Sequence, residues 1–359
     1  MTTPDISIVV CTRNRAALLY GALASLYDLA TEDEFTYEIV VVDNGSTDET
    51  PHVIAAAVPE AKHPLRGVRE NEPGVVAARN RGIREAQGRW IAFFDDDQLA
   101  DWHWLAELHR GASDKGCRVV GGSVQLALPA DCNRQLHPAV QMLLGETLGS
   151  DLPQRFGGRL IPGGGNLMIE RGVFDQVGQF ENSIEGRGED VDLYARIEQA
   201  QIDAWYIPTA VVHHLTPSER LAPDYLLKLA QLVGQGAARR QRAALGWVRF
   251  TGRWLAEFAQ LATVHYPGWW WARLRRDHEL ALGRHCDLTI SRGFLQGAPP
   301  TPAPAQPIRR PAAQSTARPG ELAAPKPAPV FILRSGEPTM VMDFPQLTIG
   351  PAAAKLPSH

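Results

Sequence analysis

Three consecutive carboxylates, Asp95-Asp96-Asp97, follow directly on the apolar run Trp90-Ile91-Ala92-Phe93-Phe94. The aromatic and β-favouring residues of that run read as a buried strand. Like charges this close repel one another unless a cation offsets them. If the backbone stays extended beyond Phe94, Asp95 and Asp97 face one side and Asp96 the other. Two oxygen ligands on one side suit Mg²⁺ or Mn²⁺, which keep waters and share positions with substrate phosphates. A solvated acidic turn capping a helix that starts near Asp101 explains the triplet equally well. Three further clusters accompany it. They are the glycine turn Pro162-Gly163-Gly164-Gly165-Asn166, the turn Gly186-Arg187-Gly188-Glu189-Asp190, which opens an acidic helix, and His213-His214.

The elements that must position these groups alternate in kind. Ile6–Cys11 and Glu38–Val42 are unbroken apolar runs, the pattern of parallel strands buried on both faces. Between them Asn14 is placed to cap a helix from about Arg15 to Leu29, with Leu18, Leu19, Leu23 and Leu26 inward. The second run ends in Asp43-Asn44-Gly45-Ser46-Thr47-Asp48, a turn leading into a helix start that Asp48 and Glu49 favour. A weaker strand is expected over Leu65–Arg69, then a helix whose first turn lies near Pro73. The alternation argues a doubly wound, mostly parallel α/β sheet with flanking helices, binding its ligands at the strands' carboxyl ends. A helix near Asp101–Ala112, a strand near Arg118–Val124, and a long loop with helical pieces over the site at 129–160 follow. The last strand, Trp205–Val212, is interrupted at Pro208.

From Pro223 the pattern turns helical. Trp247, Phe250, Trp254, Phe258 and Leu261 recur at three- and four-residue spacing, followed by Trp269-Trp270-Trp271 and the basic cluster Arg273-Leu274-Arg275-Arg276. Such a stripe packs on the body. Basic residues beside tryptophans also suit an anionic membrane surface. Residues 297–359 open rich in Pro, Ala and Gln and read as a disordered linker, with Val330–Leu333 and Met340–Met342 placed for a small hairpin. The expected division is therefore 1–222 for catalysis, 223–296 for a helical extension and 297–359 for a tail.

A net charge of −4 and a pI near 6.3 argue against a general nucleic-acid binder. Four scattered cysteines form neither a zinc site nor a disulfide framework, which suits a reducing compartment. The sequence shows no secretory signal pattern and no run able to span a bilayer, so a cytoplasmic protein, peripheral on the inner membrane face, is expected.

In order, Cys11-Thr12-Arg13-Asn14-Arg15, Asp43 to Asp48, Ala78-Arg79-Asn80-Arg81-Gly82, Asp95-Asp96-Asp97, Gly164-Gly165-Asn166 and Gly188-Glu189-Asp190 resemble the motifs of the inverting family 2 glycosyltransferases, which have the glycosyltransferase-A fold. The resemblance covers about residues 5–215. It implies that Asp43 accepts a hydrogen bond from a nucleotide base, that Arg79 reaches the base or phosphates, and that Asp95 contacts the ribose. Thr12, Arg13, Asn14 and Asp96 join this donor-binding set, and the Gly165-Asn166 turn approaches the donor sugar and acceptor. Asp97 is implied as the ligand of Mn²⁺ or Mg²⁺, with His214 fitting a second metal- or diphosphate-contacting position better than His213. Asp190 is implied as the base that takes the acceptor's proton, with Glu189 orienting the acceptor.

The reaction implied moves a hexosyl or deoxyhexosyl group from a nucleotide-diphosphate sugar to a hydroxyl of a glycan or lipid-linked acceptor. The Gln-x-x-Arg-Trp motif of processive synthases is missing, so single additions are expected. The first motif carries Cys11-Thr12-Arg13-Asn14 where many relatives have a proline and an aromatic. A nucleotidyltransferase would show a glycine-rich loop after the first strand, and Cys11–Arg15 has none. A silent glycan-binding module would show eroded carboxylates, yet Asp95, Asp97 and Asp190 are all present.

Overall fold

The computed structural model describes residues 3–158, 160–181 and 188–297, and the backbone of 331–332 and 341–342. The chain begins β1 (Ile6–Thr12), α1 (Ala16–Leu26), β2 (Tyr37–Asp43), α2 (Thr50–Ala57), β3 (Leu65–Arg69), α3 (Val75–Glu85), β4 (Trp90–Asp95) and β5 (Gln98–Ala100). It continues with α4 (Trp104–Lys115), β6 (Val119–Ala127), α5 (Pro138–Leu143), β7 (Gln154–Arg155), β8 (Asn166–Glu170), α6 (Arg171–Val177), α7 (Glu189–Gln199) and β9 (Ala204–Leu215). Three helices follow, α8 (Pro223–Gln260), α9 (Tyr266–Leu274) and α10 (His278–Gly297), then the short antiparallel pair β10 (Phe331–Ile332) and β11 (Val341–Met342). The linker expected over most of the tail lies outside the described residues, as do Gly186 and Arg187.

One sheet in the order β3-β2-β1-β4-β8-β6-β9-β5, with β7 beside β9, forms the centre. The first four strands are parallel, while β8 runs antiparallel between β4 and β6. Every residue of β2 is buried, as the unalternating Ile39-Val40-Val41-Val42 run requires of a strand covered on both faces. Side-chain alternation sends Ile8 and Val10 toward α1 and α4, and Val9 toward α3, α6 and α7. The parallel register then aligns the chemistry. Thr12 pairs with Asp43 and Cys11 with Asp95, so three strand ends deliver polar groups to one edge.

Asn14 does not cap α1. It takes a left-handed φ of 53° and its Oδ1 accepts from the Thr47 amide at 2.7 Å. The orphan amides of α1 are met from the next loop instead, Arg15 N by Thr50 Oγ1 and Ala16 N by Asp48 Oδ2. This stitches the two loops that border the site.

The helix α8 is broken at Gly246, where φ is 70° and ψ 172°. Its first half packs on α10 through glycines. A Cβ at Gly234 would lie 2.0 Å from the Ile290 carbonyl oxygen, and one at Gly293 2.4 Å from that of Gln231. Leu226, Leu229 and Ala230 join Ala139, Val140 and Leu143 in one apolar cluster, which docks the C-terminal helices on α5. The expected aromatic stripe divides: Phe250 is buried against Ala238 and Phe294, and Trp254 donates to the Leu295 carbonyl, but Trp247 and Phe258 are exposed.

Candidate active site

A cleft of about 600 Å³ opens at the carboxyl ends of β1 and β4 and is walled by Gly163–Gly165, Gly188–Asp190, Leu143–Gly145, and Tyr225 and Leu229 of α8. The carboxylate triplet forms its floor, though not by the expected alternation. The strand ends at Asp95, and Asp96 and Asp97 make a turn before β5. The reason lies in β9: Gln98 pairs with His214 and the Leu215 amide donates to the Asp97 carbonyl, which pulls the chain back antiparallel. Asp96 and Asp97 are therefore both buried and share one guanidinium, with Arg15 Nη1 2.6 Å from Asp96 Oδ1 and 3.2 Å from Asp97 Oδ2. The solvated-turn reading fails with them.

The same pairing places His214 Nε2 3.4 Å from Asp97 Oδ2. Arg220 donates to Asp97 Oδ2 at 3.1 Å and approaches His214 Nε2 at 3.0 Å. A guanidinium only donates, so Nε2 must offer its lone pair and the imidazole proton sits on Nδ1, within 2.8 Å of the Leu144 carbonyl. That tautomer is the one a metal-ligating histidine needs, with its far nitrogen fixed by a carbonyl. Burial opposes ionisation of Asp97, while the Arg15 and Arg220 guanidiniums favour it and draw the carboxyl below the usual range. Burial pushes the Asp96 carboxyl up to about 6 against the pull of Arg15. An anionic oxygen beside an imidazole lone pair fits a divalent cation such as Mn²⁺. No three His, Cys, Asp or Glu side chains among the described residues surround one point, so remaining ligands would come from substrate oxygens and water. His213, by contrast, is buried away from this group, and burial lowers its pKa.

On the opposite wall the buried Arg79 bridges two carboxylates, with Nη1 2.6 Å from Glu189 Oε1 and Nη2 3.4 Å from Asp95 Oδ1. Burial works against its charge, and Asp95, Glu189 and Asp190 outweigh burial and raise its pKa. The other Glu189 oxygen accepts from the Gly188 amide at 3.0 Å. Asp190 accepts from two backbone amides: Oδ2 from that of Gly164 at 3.2 Å and Oδ1 from that of Val191 at 2.8 Å. The glycines make this closeness possible. A Cβ at Gly165 would fall 2.3 Å from Asp95 Oδ2, and one at Gly164 2.7 Å from the Arg79 guanidinium.

Of the expected donor-binding residues, Thr12, Arg13, Arg79, Asp95, Asp96 and Gly165 line the cleft with Asp97, His214, Glu189 and Asp190. The Thr12 hydroxyl is buried there beside Asp96, whose charged form it favours. Asp43 sits at the same edge, with Oδ1 accepting from Ser46 N and Oδ2 3.8 Å from Arg69. Asn14 is spent on the Thr47 loop. Asn166 is also spent: Oδ1 accepts from Trp104 Nε1, and Nδ2 donates to the Ser123 and Ala210 carbonyls. It pins the β9 bulge after Pro208 and offers the cleft no side-chain group. Arg220 had no signal in the sequence, since only the chain's path after β9 brings it to Asp97. Arg15 lay inside a quoted motif, but its role follows only from the turn at Asp96.

This arrangement of sheet and flanking helices is the glycosyltransferase-A fold. A mannosyltransferase from Pyrobaculum calidifontis, PcManGT, solved in complex with GDP-Man and Mn²⁺, superposes with a TM-score of 0.55 at 19% identity, covering 82% of this chain and 88% of that one. Residues 7–178 match the model of glycosyl transferase family 2. Glycosyltransferase AglE of Haloferax volcanii is 29% identical over 191 residues, which are 52% of this chain and 60% of AglE. Succinoglycan biosynthesis protein ExoO of Rhizobium meliloti is 39% identical over 116 residues, 32% of each chain. The matches thus span less than two thirds of these relatives' own lengths.

Proposed function

We propose that this protein is an inverting, non-processive, metal-dependent glycosyltransferase, moving a hexosyl or deoxyhexosyl group from a nucleoside-diphosphate sugar to a hydroxyl of a glycan or lipid-linked acceptor. The observation that carries the reading is the division of labour across one cleft. Asp97, His214, Arg15 and Arg220 gather on one side, and a backbone-held Asp190 stands on the other. Residues 1–222 would perform the reaction, with 223–296 completing the cleft wall. The likeness to PcManGT is one of fold and is in keeping with a nucleoside-diphosphate sugar as donor.

In this mechanism Thr12 and Asp43, at the ends of β1 and β2, receive the nucleoside. Arg15 and Arg220 bind the diphosphate. A Mn²⁺ or Mg²⁺ held by Asp97 and His214 would neutralise charge that builds on the leaving diphosphate. Asp190 takes the proton from the acceptor hydroxyl as that oxygen attacks the anomeric carbon and the carbon–oxygen bond to the diphosphate breaks. Its second oxygen stays on the Val191 amide, which keeps the basic oxygen aimed at the cleft. Glu189, locked by Arg79, holds the acceptor wall in place.

A panel of nucleoside-diphosphate sugars, assayed for hydrolysis with Mn²⁺ and with chelator, tests the reading. One sugar should be released preferentially and only with metal. Release of no sugar from any donor, or equal release in chelator, would contradict it.

A further inference from the structure

We propose that the outer face of the helical extension between Val248 and Arg276 docks on an anionic lipid surface. The surface chemistry of this segment sets it apart. Leu255, Phe258, Tyr266, Trp270, Trp271 and Leu274 each expose more than half of their area. They belong to one run of helix, from the half of α8 beyond Gly246 through a short π-turn at 261–265 into α9. Its inward residues, Phe250 and Ala272, are fully buried, so the exposed apolar side chains are not a core waiting for a helix already present.

Charge identifies the partner. Between Val248 and Arg276 the sequence holds a single acidic residue, Glu257, which is buried and paired with Arg253 at 2.7 Å. Arg249, Arg273, Arg275 and Arg276 are exposed. Two lie over indoles, Arg273 at 5.1 Å from the Trp269 centroid and Arg275 at 4.5 Å from that of Trp271. The next acid, Asp277, is spent capping α10 through the Leu280 amide. Tryptophan bodies with guanidinium heads match the headgroup region, where the ring is half-solvated and the cation meets lipid phosphate. No helix among the described residues is long and apolar enough to cross a membrane, so attachment would be by the face of the helix.

A second copy of this chain fits less well. In a two-fold dimer the patch meets itself, and arginines would face arginines with no acid between them. The first half of α8 meanwhile carries Tyr225 and Leu229 to the cleft wall, so one helix touches both the candidate site and the proposed lipid face. The proposal does not depend on the enzymatic reading, because it concerns binding alone.

The test is sedimentation of the full chain with phosphatidylcholine vesicles and with vesicles containing roughly a third phosphatidylglycerol, at low and high salt. Binding should require the anionic lipid and weaken as salt rises. Brominated lipid should quench the tryptophan emission. Removing two surface charges with Arg275→Gln and Arg276→Gln should weaken binding by roughly 30-fold. Trp270→Ala with Trp271→Ala, both at exposed positions, should abolish the quenching while the far-ultraviolet spectrum stays unchanged. Equal binding to neutral and anionic vesicles, or none to either, would overturn the proposal. So would a concentration-dependent dimer in the ultracentrifuge that the Trp270→Ala, Trp271→Ala pair dissolves.

Discussion

Arg79 Nη1 lies 2.6 Å from Glu189 Oε1, joining α3 to the first turn of α7 across 110 residues of sequence. That contact fills one oxygen of Glu189, and the Gly188 amide fills the other. Glu189 is thereby tied to a guanidinium, whereas the two oxygens of the neighbouring Asp190, the proposed base, accept from the Gly164 and Val191 amides. Glu189→Gln keeps the shape and loses the charge of a nearly buried pair. It should destabilise the fold by about 1.5–3 kcal/mol, the worth of a charged hydrogen bond, as read by urea unfolding. If Glu189 were the base instead, turnover would vanish with little change in stability.

The helical extension offers a paired prediction from two glycines of α8. A Cβ at Gly234 would strike the backbone of α10, whereas one at Gly252 meets nothing within 4 Å. Gly252→Ala should therefore stabilise by about 0.5–1 kcal/mol through helix propensity alone. Gly234→Ala should destabilise by about 1–3 kcal/mol, the usual cost of overpacking. Thermal melts of the two variants in opposite directions would bear this out. Equal shifts would mean that α8 and α10 are not in contact.

Acid sensitivity should reside partly in Glu170 at the end of β8. Hydrogen bonds from Arg118 and Arg89 outweigh burial and hold its carboxyl below the ordinary value of 4.5. A depressed carboxyl stabilises the fold fully above that value, and the contribution is lost as pH falls through the folded-state pKa. The unfolding free energies of the protein and of Glu170→Gln should differ by about 1 kcal/mol at neutral pH and converge below about pH 4.5. A difference that grows as pH falls would reverse the sign and contradict the pairing.

How far the sequence could be read depends on which physics decides each element. Runs such as Ile39-Val40-Val41-Val42 announce themselves, because a strand covered on both faces has no polar position to spare. Their carboxyl ends then had to converge, and Thr12, Asp43 and Asp95 do so by register alone. The turn at Asp96 was hidden, since the pairing of β5 with β9, more than a hundred residues on, decides it. Asn14 and Asn166 look like site residues by type, yet both are consumed by loop and bulge amides or carbonyls that no local pattern reveals. Arg220 is the converse case, a cation at the site with no motif around it. The stripe from Trp247 to Leu261 has a helical period, but period does not say which aromatics meet α10 and which face outward.

The account rests on Asp190 acting on the acceptor while the other side of the cleft holds the donor. The most direct measurement is the steady-state turnover of Asp190→Asn beside its affinity for the nucleoside-diphosphate sugar, the latter by calorimetry with Mn²⁺ present. Asparagine keeps one oxygen for the Val191 amide and puts an NH₂ group where the basic oxygen accepts from the Gly164 amide. Turnover should fall by about two to four orders of magnitude, the ordinary worth of a general base, with donor affinity unchanged. Donor affinity lost along with turnover would instead place Asp190 in the nucleotide site, and near-normal turnover would remove it from the chemistry.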